Sequence, residues 1–193
     1  MIRLFAFGQL SRQCSHWMEQ SPLARWGMIC GGTAFSVFVC LMLLPTRWPG
    51  MTLAGIGPNW LLIWVVAWSL KRNVWSAIAA GLSLGFLQDA MTELHPSHAV
   101  SLVVVGLLTA RLHKQRYLQE DFISVALVVF GMAVVAETVT AIQFSLLGTR
   151  SLLEIWKHHQ LIALSSAILS SLWAPVIYFP LNRWWQWVGI QED

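Results

Sequence analysis

The sequence predicts an all-α polytopic membrane protein whose chain forms a bundle of six transmembrane helices. The chain is 56% hydrophobic and only 11% charged, whereas a soluble domain carries about 25% charged residues. Six apolar runs also alternate with short polar connections along its length. Because backbone polar groups in hydrocarbon must pair within their own segment, we expect each run to be a helix.

The first two runs differ in how clearly they can span a bilayer. Residues 26–44 form nineteen positions without a charge, which is about 28 Å of helix. Pro45 follows and ends this run. The second run, residues 58–70, is short, so we expect the span to begin within residues 52–54. Pro58 should then bend the start of its helix.

The remaining four runs, the third to the sixth, are residues 74–90, 97–110, 122–147 and 161–181. The fourth is short and starts at Ser97, a residue that commonly caps helix N-termini. The fifth has 26 residues, so we expect it to tilt or to extend beyond the bilayer. Pro175 in the sixth predicts a kink.

The basic residues predict the orientation of the bundle. Six spans place nine of the twelve Lys and Arg residues on the side that holds both termini. Under the positive-inside rule, that side is the cytoplasm. We therefore expect no nucleic-acid surface, although the formal net charge is +3. The predicted division is a cytoplasmic tail at 1–25, a transmembrane domain at 26–185 and a cytoplasmic tail at 186–193.

Tryptophan is abundant, with twelve residues in the chain. Trp60, Trp64 and Trp68 are spaced by four, so they share one face of the second helix. Other tryptophans lie at the ends of the runs, where indole rings typically anchor a helix in the membrane interface. These predicted anchors are Trp26, Trp48, Trp75, Trp156, Trp184, Trp185 and Trp187.

The third run contains a row of small residues that ends in an acid. Ala77, Gly81, Gly85 and Asp89 follow each other at strict i+4 spacing, so they form one straight row on a helix. Small side chains allow another backbone to approach closely. The row is either a packing seam inside the bundle or a contact for a partner helix. Asp89 is either a hydrated helix-end residue or a tie that holds the following loop, residues 91–98, against the bundle.

Glu137 lies near the middle of the fifth run, where an ionised acid costs roughly 3 kcal/mol on insertion scales. We expect it to face the bundle interior or to be protonated. Thr138, Thr140 and Gln143 follow it and make this part of the helix polar. Three interpretations stay open: interhelical hydrogen bonds, a ligand or proton site, or exposure at a helix break.

No catalytic or metal-binding pattern is present in the sequence. The helical HExxH motif of membrane zinc proteases does not occur, and Pro96 separates His95 from His98. A Gly-rich phosphate loop and a G-x-S-x-G elbow are also missing. The three cysteines, Cys14, Cys30 and Cys40, lack metal-ligand spacing. We predict a protein that is not an enzyme and has no metal or cofactor.

The order of these features resembles the MreD family of bacterial rod shape-determining membrane proteins. Residues 57–60 read Gly-Pro-Asn-Trp and open a Trp-rich second span. Residues 80–89 read Ala-Gly-Leu-Ser-Leu-Gly-Phe-Leu-Gln-Asp, and a short Pro-containing loop and a small-residue-rich fourth span follow. The resemblance covers about residues 26–185. Its specific part is Pro58 together with the Gly81, Gly85 and Asp89 row.

This resemblance implies a non-catalytic component of the cell-elongation complex for lateral wall synthesis. It implies association with an MreC-like single-span protein, and through it with actin-like MreB and the wall synthases. The six-helix bundle of the family is similar to the substrate-binding subunits of energy-coupling-factor transporters, so a vitamin-binding subunit is the alternative. A polar pocket near the outer face, and docking through a small-residue row such as Gly27 and Gly31, would mark that alternative. Homo-oligomerisation and the partner-facing helix stay open.

Overall fold

The computed structural model describes residues 22–46, 52–53, 55–92, 97–114, 121–147 and 152–188. Within these residues there are six helices and no strand, apart from one isolated bridge between Leu53 and Ile56. Most of both predicted tails, and the loop with His95 and Pro96, lie outside the described residues. The helices are α1 (Pro22–Leu43), α2 (Trp60–Ser69), α3 (Val74–Met91), α4 (His98–Lys114), α5 (Phe122–Leu147) and α6 (Leu152–Val188).

The predicted all-helical membrane architecture is confirmed, whereas the number of crossings stays a prediction. Four helices, α1, α3, α5 and α6, are long and apolar enough to span a membrane. The other two, α2 and α4, are apolar but shorter. With ten residues, α2 is about 15 Å long, roughly half the thickness of the hydrocarbon layer.

The short helix α2 lies at the centre of the bundle and contacts each of the five other helices. Nine of its ten residues are buried, and only Trp68 is partly exposed. A helix that is apolar all round is stable when protein surrounds it on every side. The sequence WLLIWVVAWS meets this condition, so α2 forms the core around which the longer helices pack.

The start of α2 lies later in the chain than predicted. Residues 52–53 are not helical, because Leu53 and Ile56 exchange backbone hydrogen bonds of 2.9 Å across a turn. Gly55 in this turn has a φ of +81°, a conformation that favours glycine. The buried Pro58 precedes Asn59. Asn59 caps α2 by accepting a 3.1 Å hydrogen bond from the backbone N–H of Leu62.

The tryptophans of α2 pack against α6. The rings of Trp64 and Trp68 stack with centroids 5.2 Å apart, and the edge of Trp185 meets both at 6.4 Å and 5.3 Å. Trp185 was predicted to be an interfacial anchor, but it is only 5% exposed. That prediction was wrong because α6 continues to Val188 and carries this ring against α2. By contrast, Trp75 at the start of α3 is 82% exposed.

The first and last helices differ in how much of them the bundle covers. Helix α6 extends beyond the predicted run and stays helical for 37 residues through Pro175 and Pro180. Helix α1 contacts only α2 and α6 among the described helices. Within residues 26–43, Cys40 alone is buried. One side of α1 is therefore left without protein neighbours from the described part of the chain.

Candidate functional site

The small-residue row of α3 faces α4. Ala77, Gly81, Gly85 and Asp89 are all buried. A Cβ atom added to Gly81 would lie 2.7 Å from the backbone oxygen of Leu102, and one added to Gly85 would overlap the backbone of Ala99. The two helices are therefore in contact backbone to backbone along the row, which only residues without large side chains permit.

A glycine on α4 completes this contact from the other side. A Cβ atom added to Gly106 would lie 2.8 Å from the backbone oxygen of Ala77. Gly106 was not singled out from the sequence, although it lies seven residues after Ala99 and so on the same face of α4. Because α3 and α4 bury the row between them, a partner helix has no access to it while they stay packed.

Asp89 joins the end of α3 to the start of α4. Its Oδ1 accepts a 2.7 Å hydrogen bond from the backbone N–H of His98 and lies 2.9 Å from His98 Nδ1. Its Oδ2 accepts a 2.8 Å bond from the Ser97 hydroxyl. The predicted cap, Ser97, therefore donates to Asp89, and the Asp89 carboxylate accepts from the first N–H of the helix. A carboxylate at this position also suits the positive end of the helix dipole.

The polar zone predicted on α5 is only partly interhelical. Gln143 Nε2 donates a 3.2 Å hydrogen bond to the backbone oxygen of Ser97. This bond ties α5 to the group formed by Asp89, Ser97 and His98, which we call the Asp89 cluster. Thr138 and Thr140 instead donate to carbonyls of their own helix, at 2.7 Å and 3.0 Å. Thr140 is partly buried, whereas Thr138 is exposed on the outer surface of α5.

A polar cavity of about 270 Å³ lies beside this cluster. Six parts of the chain form its walls: the end of α1, the turn before α2, the end of α3, the start of α4, the helix α5 and the helix α6. Three of the residues singled out from the sequence, Pro58, Glu137 and Thr140, line it together. Among the described residues, no Lys or Arg lines it. The other polar side chains there include Asn59, Gln88, His98 and Ser101.

Two polar side chains that line this cavity, Gln88 and Glu137, differ in burial. Gln88 is only 6% exposed, and its Oε1 atom is buried without a hydrogen-bond partner, which is rare in folded proteins. Glu137 is half-buried, has no hydrogen bond from its carboxylate to the described residues, and interacts electrostatically with His98. Gln88 was not singled out from the sequence, although a polar residue directly before Asp89 inside an apolar span was a usable signal.

Glu137 also borders a second space, a groove of about 260 Å³ between α5 and α6. Its other walls are mostly apolar and include Val134, Ala141, Ala163 and Leu164. Glu137 therefore lies between a polar cavity inside the bundle and an apolar groove on its flank. Of the three interpretations of this residue, interhelical hydrogen bonds have no support among the described residues, because no hydrogen bond joins Glu137 to another helix there.

No group of three or more His, Cys, Asp or Glu side chains able to hold a metal ion occurs within the described ranges. Cys30 is exposed and Cys40 is buried, and both are free thiols. Cys14 lies outside the described residues.

A family model described as rod shape-determining protein MreD matches residues 25–184 of the chain. The match extends from the start of α1 almost to the end of α6, so it includes the α3–α4 seam, the Asp89 cluster and the cavity. No curated protein and no solved structure matches the chain.

Proposed function

The chain belongs to the MreD family of rod shape-determining membrane proteins, and on that premise we propose that it acts as a non-catalytic scaffold of the cell-elongation complex. In this role it holds an MreC-like single-span protein by lateral helix contact and couples it to actin-like MreB and the wall synthases. It resides in the plasma membrane as a multi-pass protein with both termini in the cytoplasm. The family match does not support the alternative of a vitamin-transporter subunit.

The helix α1 is the surface that supports lateral contact. Gly27 and Gly31 lie four residues apart on it, and no atom lies within 4 Å of a Cβ atom added at either position. Phe35, one further step along the same row, is 68% exposed. Small residues on an open face let a second helix approach the backbone closely. A single-span partner therefore fits along this row.

A neighbouring face of α1 is already in use. A Cβ atom on Gly32 would collide with the Trp184 ring of α6, so this glycine serves contact within the chain. Gly131 on α5 also has open space around it, but it is not part of a row of small residues. The residues four positions before and after it are Leu127 and Val135. Among these positions, the Gly27–Gly31 row alone combines paired small residues with an open face.

Replacement of Gly31 with Leu tests the partner surface. The added side chain occupies the open face of α1, where no atom lies within 4 Å of the new Cβ, so we expect recovery of the MreC-like partner in a mild-detergent pull-down to fall about tenfold. Gly131→Leu is the matched control, because it puts the same side chain on an equally open helix surface. Equal recovery of the partner with both variants would refute α1 as the docking helix.

Topology reporters fused to the two chain ends test the membrane orientation. We expect both reporters to indicate the cytoplasm, because nine of the twelve basic residues lie on one side of six crossings. Reporters on opposite faces would show that α2 or α4 does not cross. The scaffold would then need a different set of exposed helix surfaces.

A further inference from the structure

The polar cavity beside the Asp89 cluster has features of a binding site that the scaffold role does not use. We propose that it binds the primary ammonium group of a small molecule, presented either by a lipid headgroup or by a free amine. The observation that carries this inference is the Glu137 carboxylate, which lines the cavity without a hydrogen bond to the described residues.

The polar groups of the cavity walls favour a ligand that donates hydrogen bonds. Three hydroxyls in the cavity already donate to backbone carbonyls: Thr46 to Leu43, Ser101 to His98 and Thr140 to Ala136. Their oxygens keep lone pairs that can accept further hydrogen bonds. An ammonium group has three N–H donors and no acceptor, so it complements a wall of this kind.

The charged groups in the described walls favour a ligand that carries a positive charge. Glu137 is the one carboxylate among the described residues that line the cavity. His98 is the one other ionisable side chain there, and its Nδ1 is 2.9 Å from the buried carboxylate of Asp89. Glu137 also interacts electrostatically with His98. Because the His98 ring is already within hydrogen-bond distance of Asp89 and a carboxylate inside a span is costly, a bound ammonium group would stabilise Glu137 further by a charge-assisted hydrogen bond.

The size of the spaces suits a small headgroup. A cavity of 270 Å³ has room for about nine water molecules at about 30 Å³ each, which is enough for an aminoethyl group and its neighbouring atoms. The apolar groove on the other side of Glu137 has a similar volume of 260 Å³. It offers a place for a hydrocarbon chain if the amine belongs to a lipid.

Native mass spectrometry of the full chain released from lipid nanodiscs tests this proposal. One preparation contains phosphatidylethanolamine, and the other contains phosphatidylcholine, whose quaternary ammonium has no N–H donor. We expect phosphatidylethanolamine to be retained at least about tenfold better, because only it can donate a hydrogen bond to Glu137. A parallel thermal-unfolding series with ethanolamine in detergent measures the free amine, since a ligand that binds only the folded state raises the melting temperature.

Glu137→Gln is the variant that connects binding to the cavity. It should lower retention or the melting-temperature shift by about tenfold, the factor expected for losing a hydrogen bond to a charged group. Asp121→Asn is the matched control: it removes one carboxylate from an exposed position at the other end of α5. The melting temperature of each variant without ligand shows that it is folded.

The outcomes separate the two amine sources and the water-filled case. Selective lipid retention assigns the site to a headgroup, and a shift with ethanolamine alone assigns it to a free amine. Either result depends on Glu137 if the proposal is correct. Equal retention of the two lipids with no effect of ethanolamine, or equal binding by wild type and Glu137→Gln, would overturn the proposal and leave water as the occupant.

Discussion

Two glycine pairs with the same spacing have opposite surroundings in this molecule. Gly81 and Gly85 on α3 leave no room for a Cβ atom, because the backbone of α4 occupies that space. Gly27 and Gly31 on α1 have no atom within 4 Å of an added Cβ. The small-xxx-small pattern therefore permits close helix approach in both places, but it does not specify whether the approaching helix belongs to the same chain.

The largest effect that separates the two pairs is expected from Gly85→Leu. The new side chain would overlap the backbone of Ala99, and a helix backbone cannot move aside as a side chain can. We expect the free energy of unfolding to fall by more than about 3 kcal/mol, so that little folded protein is recovered in detergent. The same substitution at Gly31 should leave the yield and the melting temperature unchanged. Similar losses at both sites would show that the contrast between the pairs is wrong.

Asp89→Ala tests the polar end of the buried row, a feature without a counterpart on α1, where the row continues to Phe35. The change removes the acceptor for the backbone N–H of His98 and for the Ser97 hydroxyl. Loss of a helix cap and of hydrogen bonds to a buried carboxylate should destabilise the protein by about 2–3 kcal/mol, measured by unfolding in an SDS titration.

Ser83→Ala, an exposed position on the same helix, is the control and should change stability by less than about 0.5 kcal/mol. If Asp89→Ala unfolds like wild type, the carboxylate does not hold α3 and α4 together.

The smallest effect is expected from Gly106→Ala, which adds one methyl group to the α4 side of the seam. Its Cβ would lie 2.8 Å from the backbone oxygen of Ala77, so the helices must separate slightly, at a cost of about 1–2 kcal/mol. Gly131→Ala adds the same methyl group in open space and should not destabilise the protein. Thermal unfolding of the two variants side by side measures the difference.

The positions of most helices could be predicted from the sequence, because an uncharged apolar run in lipid has to be helical. The predicted run 122–147 coincides with α5, and the run 74–90 ends one residue before α3 does. The run 58–70 was also identified from the sequence. Its position at the centre of the bundle could not be predicted. Lipid tails are as apolar as leucine, so an apolar run does not reveal whether lipid or protein surrounds it.

The candidate site could be predicted only in part. The tie between Asp89 and the following loop was one of two interpretations, and the hydrogen bonds to Ser97 and His98 agree with it. The cavity could not be predicted, because it forms where six separate segments meet and depends on side-chain directions. Gln88 and Gly106 acquire their importance only through what lies opposite them, which a single sequence does not show.

The contact between Trp185 and the two rings of α2 has a consequence for how the protein is made. Trp185, whose edge meets the rings of Trp64 and Trp68, follows Trp68 by 117 residues in the chain. A ribosome still covers its most recent product when the other five helices have already left it. The interior therefore cannot close until α6 has been made, and the partly assembled bundle waits in the bilayer for this helix.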